Sequence, residues 1–217
     1  MLKLIKDILQ VFILSLIIQI PVLSEIRWGT IDDTFLGKSL HILAWLLSYL
    51  VLFVSLYRMN ASQRDSSSKK VNYSYVKIVG LVVGTIIVKL LILNIFPDRG
   101  GYNGGDKTFS DILSQFGWMT LLSVNILSPI LEEVVFRGIL QERLKQVVTP
   151  KLGILITGIV FAMLHSYSLT VAFFMALVSG LVFSWLYFKT NSIIYPIIAH
   201  ILMNILVTIL QFISRMG

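Results

Sequence analysis

The sequence contains no cysteine, which excludes disulfides, a thiol nucleophile and any thiolate metal site. Charge is scarce as well. Of the 217 residues, 13% are Asp, Glu, Lys or Arg against 56% hydrophobic, and there are 3 histidines. A soluble domain of this size has no use for so much apolar surface, so the composition points to an integral membrane protein. The expected fold is all-α, a polytopic bundle of transmembrane helices in a lipid bilayer. The net charge of +7 does not indicate nucleic acid, because the basic residues sit in short loops beside apolar runs. No Ala-x-Ala-like cleavage site follows the first apolar run, which reads as a retained helix rather than a signal peptide. No internal repeat is apparent, which argues against a transporter built from inverted halves.

What the chain does have is long apolar runs. Roughly 20 apolar residues cross a bilayer, and seven spans can be drawn, at 4–23, 38–57, 75–96, 119–140, 152–168, 170–188 and 192–213. Lys and Arg are dense at 3–6, 58–77, 137–151 and 189, alternating from loop to loop. The positive-inside rule then puts the N-terminus in the cytoplasm and the C-terminus outside. Asp111–Trp118 reads as an interfacial lead-in to the fourth span. Gly80-x-x-x-Gly84 and Ala176-x-x-x-Gly180 read as helix-packing seams. Lys89 lies near the outer end of its span, where it can snorkel, and has no assigned role. His41 reads as an interfacial histidine.

Polar residues inside these spans are the exception. Glu132, Glu133 and Arg137 fall within six positions of an apolar run, and each ionisable group at membrane depth costs about 2.5–3.5 kcal/mol or more. Glu133 and Arg137 are i,i+4 with the acid first, the favourable order for an ion pair on a helix. Glu132 points about 100° away, so one arginine cannot easily serve both carboxylates. Glu132 is left spare. Phe161-x-x-x-His165 and His200-x-x-x-Asn204 add further polar groups. Counted at ~1.5 Å per residue, Glu132, His165, His200 and Asn204 lie about 14–21 Å from the basic boundaries of their spans. Four groups from three helices can therefore meet in one layer, and access is expected from the basic, cytoplasmic side. Interhelical glue is the plainer reading of any one of them. Asn125 shares a face with Glu132 and either lines the same cavity or packs. Ser123 and Ser128 are expected to bond back to their own helix.

The set reads as hydrolysis. A carboxylate held away from bulk water can serve as a general base near neutral pH, and a neighbouring histidine can hold the attacking water. A second histidine with an Asn amide can donate to the oxyanion of a tetrahedral intermediate. Zinc on Glu132, His165 and His200, with the second glutamate as base, is the alternative, although no H-E-x-x-H motif is present. Nor does any serine sit in G-x-S-x-G, and a GxGD-type aspartate pair is lacking.

Glu132-Glu133-x-x-x-Arg137, Phe161-x-x-x-His165 and His200-x-x-x-Asn204, in this order and each in an apolar span, resemble the three signature motifs of the CPBP family of intramembrane proteases. That family, also called Abi or CAAX protease and bacteriocin-processing, includes the type II prenyl endopeptidases. The resemblance covers about residues 112–206. It divides the chain into N-terminal helices at 1–111 and a catalytic core at 112–217, forming one membrane unit. It implies that Glu132 and His165 activate water, that His200 and Asn204 stabilise the oxyanion, and that Glu133 and Arg137 support them. The expected activity is cleavage of a membrane-associated peptide or protein, with no cofactor. Similar bacterial members serve peptide pheromone or bacteriocin maturation, or bacteriocin self-immunity. A non-catalytic immunity factor or scaffold that binds a peptide is the reading from another class.

Overall fold

A computed structural model of the chain describes residues 9–18, 35–61, 71–96, 119, 121–166 and 168–216. Trp118 and the side chain of His41 lie outside the described residues. Within them the chain forms seven helices: α1 at Leu9–Ile18, α2 at Phe35–Ala61, α3 at Tyr75–Ile95, α4 from Ser123 to Leu144, α5 at Pro150–His165, α6 at Val171–Thr190 and α7 at Ile194–Met216. Among the described residues, three helical stretches are long and apolar enough to cross a membrane: α3, α6 and Ile194–Ile213 of α7. The all-α architecture of seven helices is as expected, and three of them qualify as full spans among the described residues. α5, with 16 residues, reaches about 24 Å, short of the ~30 Å hydrocarbon core. It ends because Ser166 turns to extended backbone at φ −154° and ψ 119°. His165 is thus the last residue of α5, not a mid-span position.

α4 alternates in pitch. Ser123–Leu127 is π-helical, Ser128–Glu133 α-helical, Val134–Gln141 π-helical and Glu142–Leu144 α-helical. Proline explains the first wide turn. Pro129 has no N–H and its ring crowds the carbonyl four residues back, which loosens the preceding turn. The Ser128 N–H accordingly donates to Ser123 O, five residues away. Val124 O loses its α-helical donor to that bond, and the next residue along is the proline.

Two buried apolar clusters hold the bundle. In one, Leu131, Val135 and Ile139 of α4 meet Val11 of α1, Trp45 of α2 and Phe161 of α5. In the other, Ile78 and Val82 of α3 meet Phe183 of α6 and Met203 of α7. α5 and α6 approach closely at Gly158 and Gly180, where a Cβ on Gly180 would lie 3.0 Å from Gly158 O. The expected seam at Gly180 is present. Gly80 and Gly84 differ: a Cβ on either would meet nothing within 4 Å, so that stretch of α3 packs no seam among the described residues. Leu46, Leu50, Val79, Val83 and Leu90 are exposed, as suits helix faces turned to lipid.

The chain brackets the bundle with two unlike ends. At one, the Val71 N–H donates to Thr190 O at 2.9 Å, Lys145 reaches Asn191 Oδ1 at 3.0 Å, and Tyr187 bonds Glu142. At the other end α3 and α5 finish and α6 begins.

Candidate active site

Arg137 and Glu133 are completely buried, and Arg137 Nη1 lies 2.8 Å from Glu133 Oε1. This is the pair expected from the i,i+4 spacing. The second arm of the guanidinium donates to Gly180 O at 2.9 Å. Phe161, Phe183 and Phe136 surround the cation, with ring centroids 4.9, 5.5 and 5.7 Å from Arg137 Cζ. Cation–π attraction offsets part of the desolvation. Glu133 Oε1 also bonds His200 Nδ1 at 2.9 Å. Arg137 thus fixes Glu133, and Glu133 fixes His200.

Glu132 stands apart from that network. Its Oε2 is buried without a hydrogen-bond partner and faces His165 Nε2 at 3.6 Å and His200 Nε2 at 3.9 Å. The tautomers follow from the other ring nitrogens. His165 Nδ1 lies 2.8 Å from Phe161 O, and a carbonyl only accepts, so Nδ1 carries the proton. His200 Nδ1 meets a carboxylate oxygen already bonded to Arg137, so it too is the donor. In the neutral rings both Nε2 atoms therefore present lone pairs to a carboxylate oxygen. Rings lock this orientation: Phe161 stacks on His165 with centroids 4.2 Å apart, and Phe183 on His200 at 4.7 Å.

Asn204 Nδ2 donates to Val124 O at 2.9 Å, the carbonyl orphaned by Pro129. An amide nitrogen has two hydrogens, so one remains for the cavity. His165, His200 and Asn204 line a cavity of about 270 Å³ together with Phe161 and Phe183. Lys89 lines it too, with Nζ 3.3 Å from Met203 Sδ. The snorkelling reading of Lys89 is corrected: its side chain turns inward. The depth count held the signal, since Lys89 lies fourteen residues, about 21 Å, past Tyr75 at the start of its span. Asn125 packs instead of facing the cavity, donating to Leu121 O at 3.0 Å and accepting from Thr208 Oγ1 at 2.9 Å. Ser123 Oγ accepts from Trp45 Nε1 across to α2 at 3.0 Å, while Ser128 Oγ is buried without a partner. The backward bond expected of Ser128 is therefore not formed.

The donor types at Glu132, His165 and His200 suit zinc. A tetrahedral zinc with bonds of about 2.0–2.2 Å keeps its ligand atoms roughly 3.3–3.6 Å apart. The separations here sit at and above that range, and no cluster of three His, Asp or Glu residues among those described is close enough to hold a metal.

Residues 114–206 match the family model described as type II CAAX prenyl endopeptidase Rce1-like. The chain is also 33% identical over 101 residues to the Bacillus subtilis (strain 168) protein named "Putative membrane peptidase YdiL". That match covers 46% of this chain and 40% of the Bacillus protein, so the chain matches well under half of its relative's length. No solved structure matches the chain. The family model takes in Glu132, Glu133, Arg137, His165, His200 and Asn204 together, and over that segment the chain is similar to the CPBP, Rce1-like CAAX proteases.

Proposed function

We propose that the protein is an intramembrane endopeptidase that hydrolyses a peptide bond of a membrane-associated peptide or protein, with Glu132 as general base and no cofactor. One observation carries this reading: a buried carboxylate oxygen with no hydrogen-bond donor, facing two imidazole nitrogens at 3.6 and 3.9 Å. Three acceptors turned on one another repel. A water molecule resolves the conflict by donating one hydrogen to Glu132 Oε2 and the other to His165 Nε2. Its oxygen lone pair then faces the cavity.

The step follows. The water oxygen bonds the scissile carbonyl carbon, its proton passes to Glu132, and the carbonyl oxygen becomes an oxyanion. The free amide hydrogen of Asn204 donates to that oxyanion, and His200, oriented by Glu133 through Nδ1, stands beside it. Glu132 then returns its proton to the leaving amine as the carbon–nitrogen bond breaks. Glu133 and Arg137 act as positioning residues. A small peptide precursor, a pheromone or bacteriocin in a bacterium, is the substrate class we favour, or a bacteriocin in self-immunity. The motif resemblance supports that substrate class, and the Bacillus relative supports a bacterial membrane peptidase.

The test is cleavage of a mixed peptide library by the purified protein in detergent, followed by mass spectrometry. Glu132→Gln and Glu132→Ala should lose about 10²–10⁴-fold in rate while the protein still inserts and expresses. Wild-type turnover by either variant sinks the assignment of the base. A strong chelator in the same assay should leave turnover intact. Loss of activity that zinc restores would make Glu132, His165 and His200 metal ligands. Peptide binding by the unsubstituted protein without cleavage would favour the scaffold reading.

A further inference from the structure

Lys89 plays no part in the hydrolysis described above, yet it lines the catalytic cavity. Its ammonium has three donors and no acceptor function. Among the described residues its hydrogen-bond partner is Met203 Sδ at 3.3 Å, a thioether, which accepts weakly. No carboxylate of the described residues pairs with it. The same sulfur also takes a hydrogen bond from Ser179 Oγ at 3.4 Å, so even this acceptor is shared. An ammonium at membrane depth is costly and ordinarily either finds a counter-charge or snorkels to the interface. Lys89 does neither. It turns inward although six residues, about 9 Å of helix, separate it from the outer end of α3 at Ile95.

Its position ties it to the reaction coordinate. Met203 is one helical turn from His200 and adjacent to Asn204 on α7. The ammonium therefore sits within about a turn of the residues that face the scissile carbonyl. An extended peptide advances roughly 3.3–3.6 Å per residue. A group held by Lys89 thus belongs to the bound peptide within a few residues of the cut bond. The cavity wall supplies two or more unmet N–H directions and a positive charge, and the complementary ligand is an anion with oxygen acceptors. In a peptide that anion is a carboxylate.

We propose that Lys89 is a carboxylate-binding subsite that selects peptides bearing an acidic group close to the scissile bond. The group is a free C-terminal carboxylate or an Asp or Glu side chain. The proposal rests on the endopeptidase reading for its meaning but not for its test. Binding is measured with Glu132→Gln protein, so that nothing is cleaved. The probes are three fluorescent octapeptides of Ala and Leu in detergent micelles: one with a free C-terminal carboxylate, one amidated, and one amidated with a single Glu.

An acidic peptide should bind about tenfold more tightly than the neutral one, the scale of one charge-assisted contact. Lys89→Met in the same background should bring that ratio to about one, while Lys89→Arg should keep it. Lys89→Gln is the second neutral variant should Met fail to fold. Whichever acidic peptide shows the preference names the source of the carboxylate. Equal binding of all three peptides, no binding of any, or a preference that survives Lys89→Met overturns the subsite. If the unsubstituted protein cleaves no peptide at all, the endopeptidase reading falls while the binding ratios still decide the role of Lys89.

Discussion

Of all the side chains in the bundle, Arg137 has most to lose from a change of partner. It is wholly buried, bonded to Glu133 and to Gly180 O, and ringed by three phenylalanines. Removing one member of a buried ion pair leaves an uncompensated charge, at a cost of about 3–5 kcal/mol. Glu133→Ala and Arg137→Ala should each lower the thermal midpoint of the purified protein markedly. The double replacement should recover part of the loss, because it leaves no lone charge. Single variants as stable as wild type would show that the pair contributes nothing. This pair was readable from spacing alone, since i,i+4 fixes two side chains on one helix. The division of labour between Glu132 and Glu133 followed from the same wheel. What spacing could not supply was the hold on His200, because the Glu133–His200 bond joins residues 67 apart in sequence. Lys89 was misread for a related reason: snorkelling is a rule about helix ends, and it ignores what the neighbouring helices offer.

Helix existence was legible from hydropathy, but helix shape was not. The apolar run at 152–168 gave no sign that the helix stops at His165, where Ser166 becomes extended. Pro129 did signal a disturbance in α4. The outcome, a π turn whose orphaned carbonyl is capped by Asn204 of α7, depends on a residue from another helix. The two small-residue pairs, Gly80/Gly84 and Ala176/Gly180, show the same limit from opposite sides. Both match a small-xxx-small pattern, yet only the Gly180 position packs closely among the described residues. A Cβ there would lie 3.1 Å from Phe161 Cδ1 as well as 3.0 Å from Gly158 O. Because Phe161 stacks on His165, a push at this seam reaches the site. Gly180→Ala should destabilise by about 1–3 kcal/mol, the usual range for overpacking, and should lower turnover. Gly80→Ala and Gly84→Ala should leave stability unchanged or slightly raised, as alanine is the better helix former. Thermal unfolding and turnover of the three variants check this. An unperturbed Gly180→Ala would mean that α5 and α6 are looser than drawn.

At the scale of the whole molecule, the two ends of the bundle decide how water and peptide arrive. The end that carries Lys145 is closed: Gln141, Leu144, Thr190 and Ser192 are buried there, and Lys145, Asn191, Tyr187 and Glu142 bond across it. His165, by contrast, finishes α5 at the opposite end beside the 166–170 connection, with 38% of its side chain exposed. Access from the basic end, expected from the sequence, therefore finds no path among the described residues, and we propose access from the end bearing Leu169. If basic loops mark the cytoplasm, that end faces outward. A chain without cysteine allows a test that does not depend on the orientation being known. Cysteine is introduced singly by Val147→Cys, Leu169→Cys and His165→Cys. Val147 is 56% exposed at the basic end and Leu169 77% exposed at the other, so the first two serve as markers of the two faces. A small charged thiol reagent applied to oriented vesicles should label His165→Cys from the face that labels Leu169→Cys, and not from the face that labels Val147→Cys. The labelling needs no activity, so loss of His165 does not confound it. Labelling of His165→Cys from the Val147 face would restore access from the basic end, and protection from both faces would mean that the catalytic layer is sealed in the resting protein.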